Sequence, residues 1–430
     1  MAQQGTLSVP RGAALYVGAL IGPGLLLVPA LAAQAAGPAS IVAWTVLLVL
    51  SAPLAITFAA LGVKHPVAGG VAAYVREGFG ESAAAVTGAW FMTAVVIGGP
   101  AVALIGGYYV ADLTGSGTTT AVGVGLAMFG VVLAANAFGL RVSSGFQLGL
   151  SAVLVAVVAV AVGIALPSRA GNNWTPFAPH GWWAVGTAAN ILMWLFIGWE
   201  AMAQLAGEFR SPAKQLPRAM GLAFGVIAVL YVGLAAATIT VTAGTGSKVP
   251  LADLIAVGFG RAGRDATAVL AVALTMGTMN VYVGGSARLA AALAQEGALP
   301  GWLAGDAYRS VPRRPLAVLA ILSTVLLLAL AAGVSSTADL IRATSACFIA
   351  VYVLALASAV RILDGRVRIA AAVALALVSI VAVFSSTFLL VPAAAAALSL
   401  GLRRLVRPSK TQEVSGPPSR ARDETCTPPG

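Results

Sequence analysis

Twelve apolar runs, most of them as long as a bilayer's hydrocarbon core is thick, follow one another along this chain of 430 residues. A helix needs about 20 mostly apolar residues to cross such a core, and only helices or closed barrels satisfy their own backbone there. The runs cover residues 13–35, 39–62, 83–111, 119–138, 145–166, 185–206, 217–243, 265–293, 315–333, 338–361, 368–384 and 386–402. They predict an all-α integral membrane protein with about twelve transmembrane helices. Composition agrees: 59% of residues are hydrophobic and 9% charged, where a soluble chain carries about 25% charged residues.

The first run could pass for a secretory signal, because Arg11 precedes it and "PALAAQAAG" offers cleavage patterns. A signal core is only about 7–15 residues long. This run is longer and leads straight into further spans, so we read it as an uncleaved first helix. Basic residues then set orientation. With the N-terminus in the cytoplasm, 20 of the 25 Lys and Arg fall inside, and Arg169, Lys248, Arg261, Arg264 and Arg342 fall outside. Both termini are therefore expected in the cytoplasm of a cell whose plasma membrane holds the chain. The net charge of +11 is a topology signal and not a nucleic-acid footprint.

The loop 64–80 is amphipathic enough for a short surface helix around Val71 to Phe79, and 244–264 reads as a longer external connection. The polar, Pro-rich tail 408–430 is expected to be disordered. Cys347 and Cys426 imply no disulfide framework, and His65 and His180 fall on opposite sides, so no metal site is argued. No Walker A, HExxH or Ser-His pattern is present, which disfavours an enzyme and calls for no cofactor.

The chemistry is expected at two interruptions. Span 1 is broken at Gly22-Pro23-Gly24, and span 6, five helices later, around Ile197-Gly198-Trp199. Pro23 donates no amide hydrogen and crowds the carbonyl four residues back, so backbone groups are freed where lipid cannot satisfy them. Interrupted segments at matching positions of two halves point to an inverted-repeat transporter site. Residues 13–166 and 185–361 would form the repeats, 368–402 two added spans, and 1–12 a cytoplasmic N-terminus.

Glu200 is the one carboxylate inside a predicted span and away from its ends. It is either a proton-coupling or gating group, or a structural acid that hydrogen-bonds the unwound backbone of its own helix. Trp194, Phe196 and Trp199 bring aromatic bulk to the same level. Gln147, Asn136, Thr275, Thr278, Asn280, Ser286, Thr344 and Ser345 are weaker candidates for lining a cavity, and Tyr108 and Tyr109 read as ordinary interfacial tyrosines.

Four stretches now carry a family likeness: "GALIGPGLLLVPA", "HPVAGGVAAYVREGFG", "FIGWEAMAQLAGEFRSPAKQLPRA" and "MNVYVGGSARLAAALAQEGALP". From about Leu15 to Leu405 the chain resembles the amino acid–polyamine–organocation (APC) superfamily of permeases. "VPALAA", "AGGVA" and "LAGEFRSPAKQLPRA" are most similar to the bacterial exporters of L-methionine and branched-chain amino acids. The resemblance implies the fold of the leucine transporter, an inverted repeat of five plus five helices with discontinuous helices 1 and 6. It also implies that the carbonyls of Leu20, Trp194 and Ile197 meet the substrate ammonium, and the amides of Gly24 and Leu25 its carboxylate. Gly22, Pro23, Phe196 and Gly198 complete the substrate-binding set, Trp194 is the lid, and Glu200 couples protons or gating. Two departures stand out: Pro23 replaces the Ser or Thr of many relatives, and span 5 lacks the Lys of some proton-coupled ones.

The expected function is therefore secondary transport of neutral aliphatic amino acids (methionine, leucine, isoleucine, valine), by export and alternating access, with protons as the coupling ion. The alternatives are an exchanger or uptake permease of other specificity, proton-driven drug export, and a non-transporting amino-acid sensor or partner subunit.

Overall fold

The computed structural model describes residues 7–64, 70–140, 143–167, 173–200, 208–242, 246–297, 299–306 and 311–406. His65, Arg141, Arg169, the second half of span 6 (201–206) and the tail 408–430 lie outside the described residues.

Two short helices share the first crossing: α1 (Val9–Leu20) and α2 (Val28–Ala36). Then come α3 (Ser40–Lys64), α4 (Gly70–Phe79), α5 (Glu81–Leu113), α6 (Thr118–Ala137) and α7 (Ser144–Ala165). The second half of the chain supplies α8 (Trp183–Met193), α9 (Pro212–Thr242), α10 (Pro250–Gln295) and α11 (Arg313–Ala331). It ends with α12 (Thr337–Ile362), α13 (Gly365–Val383) and α14 (Leu390–Val406).

Among the described residues, ten helical stretches are long and apolar enough to span a bilayer, and the first of these joins α2 to α3. The two expected spans missing from the ten are the first and the sixth. The break in span 1 shortens its helix below spanning length, so α1 and α2 make that crossing together; α8 is the described part of the sixth. The loop 64–80 contains α4, whose Val71, Tyr74 and Val75 are buried while Arg76 and Glu77 face outward or half outward.

The external connection 244–264 was expected as loop, but from Pro250 onward it is helix, continuous with span 8 except for a kink at Gly260 (φ 56°). Leu251, Ala252 and Leu254 on this arm are fully buried. An apolar face every third to fourth residue is what a short arm needs to lie down on the bundle, and it went unnoticed between polar neighbours.

We call the side from which α1 enters the near face, and the other the far face. α9 packs on α1 and α3, and α3 on α8, so the broken helices share one unit of four spans. α5 and α10 cross the middle of the molecule beside it. Small residues allow the close approaches that lipid gives no hydrophobic reason to form. A Cβ on Gly107 of α5, for example, would stand 2.1 Å from the Ala121 carbonyl oxygen of α6.

Candidate functional site

α1 stops at Leu20 because Pro23 cannot donate to the carbonyl four residues back. The Ile21 amide still bonds Val17 (2.8 Å), after which Gly22 is extended (φ −130°, ψ −175°). A 3-10 turn over Pro23–Leu26 follows, in which the Leu25 amide bonds the Gly22 carbonyl at 3.1 Å and the Leu27 amide the Gly24 carbonyl at 3.2 Å. α2 then resumes the crossing.

The second break mirrors the first. α8 ends at Met193, a 3-10 turn covers Trp194–Phe196, Ile197 is extended, and Gly198 adopts φ 128°. That torsion is in the region that favours glycine. A Cβ there would also sit 3.1 Å from the Ala19 carbonyl oxygen, so the two breaks touch.

Tyr231 of α9 ties them together. Its hydroxyl lies within donating distance of the Leu20 carbonyl (3.0 Å) and the Leu195 carbonyl (2.9 Å). Its ring packs edge-on against Trp44 and Phe196, both at 5.2 Å between centroids. The Glu200 carboxylate accepts from the Gly198 amide at 2.9 Å and from the Tyr352 hydroxyl of α12. The same Gly198 amide lies 3.1 Å from the Tyr352 oxygen. The two donors hold the unwound segment in place.

Between the breaks is a cavity of about 160 Å³. Leu20, Gly22, Pro23, Gly24, Trp194 and Ile197 line it, whereas Leu25, Phe196 and Gly198 lie outside its lining. Leu25 and Phe196 are fully buried, Phe196 in the aromatic cluster with Trp44 and Tyr231. The opposite wall comes from Val102 of α5, Gln147 of α7, and Thr278 and Tyr282 of α10. The Gln147 amide reaches Thr278 Oγ1 at 3.4 Å. Among the described residues, no charged side chain lines the cavity.

Of the weaker polar candidates, Gln147 and Thr278 reach the wall. Asn136, Thr275 and Thr344 bond carbonyls of their own helix one turn back. Tyr231, Tyr282 and Tyr352 were missed. The signal was available: a tyrosine deep in a span cannot be an interfacial anchor, so its hydroxyl needs a partner inside the protein.

Access is one-sided. On the near side Ala19 is exposed and Tyr282 is 46% exposed. On the far side Leu25, Leu26 and Val28 are fully buried, and Tyr109, also buried, donates to the Leu26 carbonyl at 2.8 Å. Tyr108 lies 2.6 Å from Thr337.

Farther out, Arg264 is clamped between two carboxylates. It makes a bidentate contact to Asp112 of α5 (both 2.6 Å) and one to Asp253 of the arm that begins α10 (2.7 Å). The clamp pins the arm over the far end of the bundle. Arg264→Gln is expected to cost about 1.5–3 kcal/mol, the range for hydrogen bonds to charged groups. A lowered thermal unfolding temperature of the purified protein checks it.

Two helices that break off inside a bundle of membrane-spanning helices and meet around a one-sided cavity, lined among the described residues by no charged side chain, define a membrane transporter. The chain belongs to the amino acid permease family, which it matches over residues 7–401. It is 33% identical to the uncharacterized amino acid permease YecA of Bacillus subtilis over 361 residues, covering 83% of this chain and 85% of that one. It is 31% identical to the L-methionine/branched-chain amino acid exporter YjeH of Escherichia coli K12 over 377 residues, covering 85% and 88%. A manganese transporter of Eremococcus coleocola shares the fold at a TM-score of 0.52 and 13% identity, covering 93% of this chain and 92% of that one.

Proposed function

We propose that this chain is a secondary transporter of neutral aliphatic amino acids, methionine, leucine, isoleucine and valine among them, exporting them from the cytoplasm by alternating access. One observation carries the proposal: residues of both breaks line the cavity between them, and among the described residues no charged side chain does. A zwitterion has two charges to satisfy, and unwound helix ends supply carbonyls for one and amides for the other. A charged substrate side chain would have no partner, at a cost of several kcal/mol. Size points the same way, since about 160 Å³ suits a small solute and drug-sized ligands occupy roughly 300–1,000 Å³.

In this reading the ammonium meets the carbonyls of Trp194, Ile197 and Leu20, the last shared with Tyr231. The carboxylate meets the Gly24 amide. The Leu25 amide, which bonds Gly22 in this conformation, joins when the turn loosens, and Pro23 has no amide to offer. Trp194 closes over the ligand. With both termini in the cytoplasm, the exposure of Ala19 and Tyr282 corresponds to an inward-facing state. Rocking of the four-span unit that holds α1 and α8 would open the far side. The inverted repeats 13–166 and 185–361 supply the symmetry for that exchange, and Glu200 couples it to protons. The name of the Escherichia coli relative supports both substrate class and direction.

Flux of labelled leucine and methionine in liposomes containing the purified protein, with an imposed pH gradient, tests the reading. Saturable uptake that competes with valine and isoleucine, and not with arginine or glutamate, is expected. Saturable binding without flux would make the chain a sensor instead.

A further inference from the structure

A second pocket opens at the far face. It encloses about 450 Å³ between the end of α5, the start of α6, the end of α9 and the arm that begins α10. Among the described residues, none that line it belongs to α1, α2 or α8. A solute held there is therefore not the one held between the breaks.

Charged side chains belong to this lining directly: Asp112, Lys248, Asp253 and Arg264. Their charges sum to zero, yet they are not matched pair by pair. Arg264 takes both oxygens of Asp112 at 2.6 Å and one of Asp253 at 2.7 Å, and the other Asp253 oxygen accepts from the Ser247 hydroxyl. One guanidinium between two carboxylates leaves the cluster with a surplus negative charge. Its carboxylates keep lone pairs to spare, since each offers about four acceptor sites, and they are 23% and 21% exposed. The balancing charge is on Lys248. Its ammonium donates to Thr118 Oγ1 at 3.0 Å and lies 4.7 Å from the centre of the Tyr108 ring. Among the described residues no carboxylate pairs with it, as both lining acids are turned to Arg264.

Such a pocket disfavours simple ions. A plain anion would face the surplus charge of the cluster, a plain cation would face Lys248, and either mismatch costs binding. A zwitterion satisfies both. Val241 and Val249 add an apolar wall between polar neighbours.

We propose that the far-face pocket is a second binding site for a zwitterionic aliphatic amino acid, its carboxylate on Lys248 and Thr118, its ammonium on Asp112 and Asp253, and its side chain against Val241 and Val249. The aliphatic class rests on the transport reading above; the two charged ends rest on the pocket alone.

Equilibrium dialysis of labelled leucine against the full chain in detergent micelles tests this. The wild type should bind two leucines per chain. Gly22→Leu, whose new side chain enters the cavity between the breaks, should bind one. Adding Lys248→Gln should weaken that one at least about tenfold, the factor carried by a hydrogen bond to a charged group, and Lys248→Arg in the same background should retain it. Lys248 is exposed, so both variants keep the fold, and an unchanged unfolding temperature checks it. Leucinamide and 4-methylpentanoate each lack one of the two charges and should compete at least about tenfold less well than leucine. One leucine in the wild type and none in Gly22→Leu overturns the outer site and leaves the transport cavity standing. One leucine in both, lost with Lys248→Gln, upholds the outer site and overturns the cavity instead. Binding to Gly22→Leu that Lys248→Gln leaves unchanged overturns the proposal, as does competition by either analogue equal to that of leucine.

Discussion

Gly22→Leu is expected to lower leucine flux on the order of 100-fold while the purified protein unfolds at the wild-type temperature. The two halves of this expectation have separate causes. Gly22 has ordinary extended torsions, and a Cβ built on it meets no heavy atom within 4 Å, so the backbone bears a side chain without strain. The open space it would enter is the cavity, since Gly22 is part of the lining. Four added carbons take the room of four substrate carbons. At about 0.8 kcal/mol per buried methylene, roughly 3 kcal/mol of substrate binding is lost, about two orders of magnitude.

Gly198→Ala is the contrasting case. Its φ of 128° is strained for any L side chain, and the new Cβ would press on the Ala19 carbonyl at 3.1 Å. That variant should lose stability, by about 1–3 kcal/mol, as well as flux. Measuring unfolding temperature and flux together on both variants separates a blocked cavity from a damaged break. If Gly22→Leu transports leucine at the wild-type rate, the substrate does not pass between the breaks.

The break in span 1 was legible in the sequence because proline and paired glycines have local consequences that no membrane context removes. The break in span 6 was legible only by its position. Gly198 lacks a proline neighbour, and its need for positive φ follows from contact with Ala19, a residue 179 positions earlier. The opposite wall was half visible: Gln147 and Thr278 stood out as polar residues in apolar spans, but so did Thr275 and Thr344, which turn back on their own helices. Periodicity cannot tell a hydroxyl or amide that bonds the previous turn from one that reaches a neighbour. The arm 250–260 and the Arg264 clamp were read as loop and as loose external charge, because pairing among Asp112, Asp253 and Arg264 depends on how three distant segments come together. Spans and breaks are local properties of the chain; walls and latches are not.

Glu200→Gln should leave binding of labelled leucine intact and make flux independent of pH across the neutral range. One oxygen of Glu200 accepts from both the Gly198 amide and the Tyr352 hydroxyl. The glutamine carbonyl oxygen can accept the same two donors, so the unwound segment stays in place. What glutamine cannot do is take up and release a proton as the cavity changes sides. Glu200→Ala removes both acceptances: the Gly198 amide keeps the Tyr352 oxygen as acceptor, and the hydroxyl of the fully buried Tyr352 loses its own. That loss costs about 1–3 kcal/mol, and the unfolding temperature should fall. The pair of variants decides between the two roles open to this residue. A flat pH profile in Glu200→Gln with wild-type stability assigns it the coupling proton. A wild-type pH profile in Glu200→Gln, alongside a destabilised Glu200→Ala, makes it a structural acid that holds the break of span 6 to α12, and the proton must then bind elsewhere.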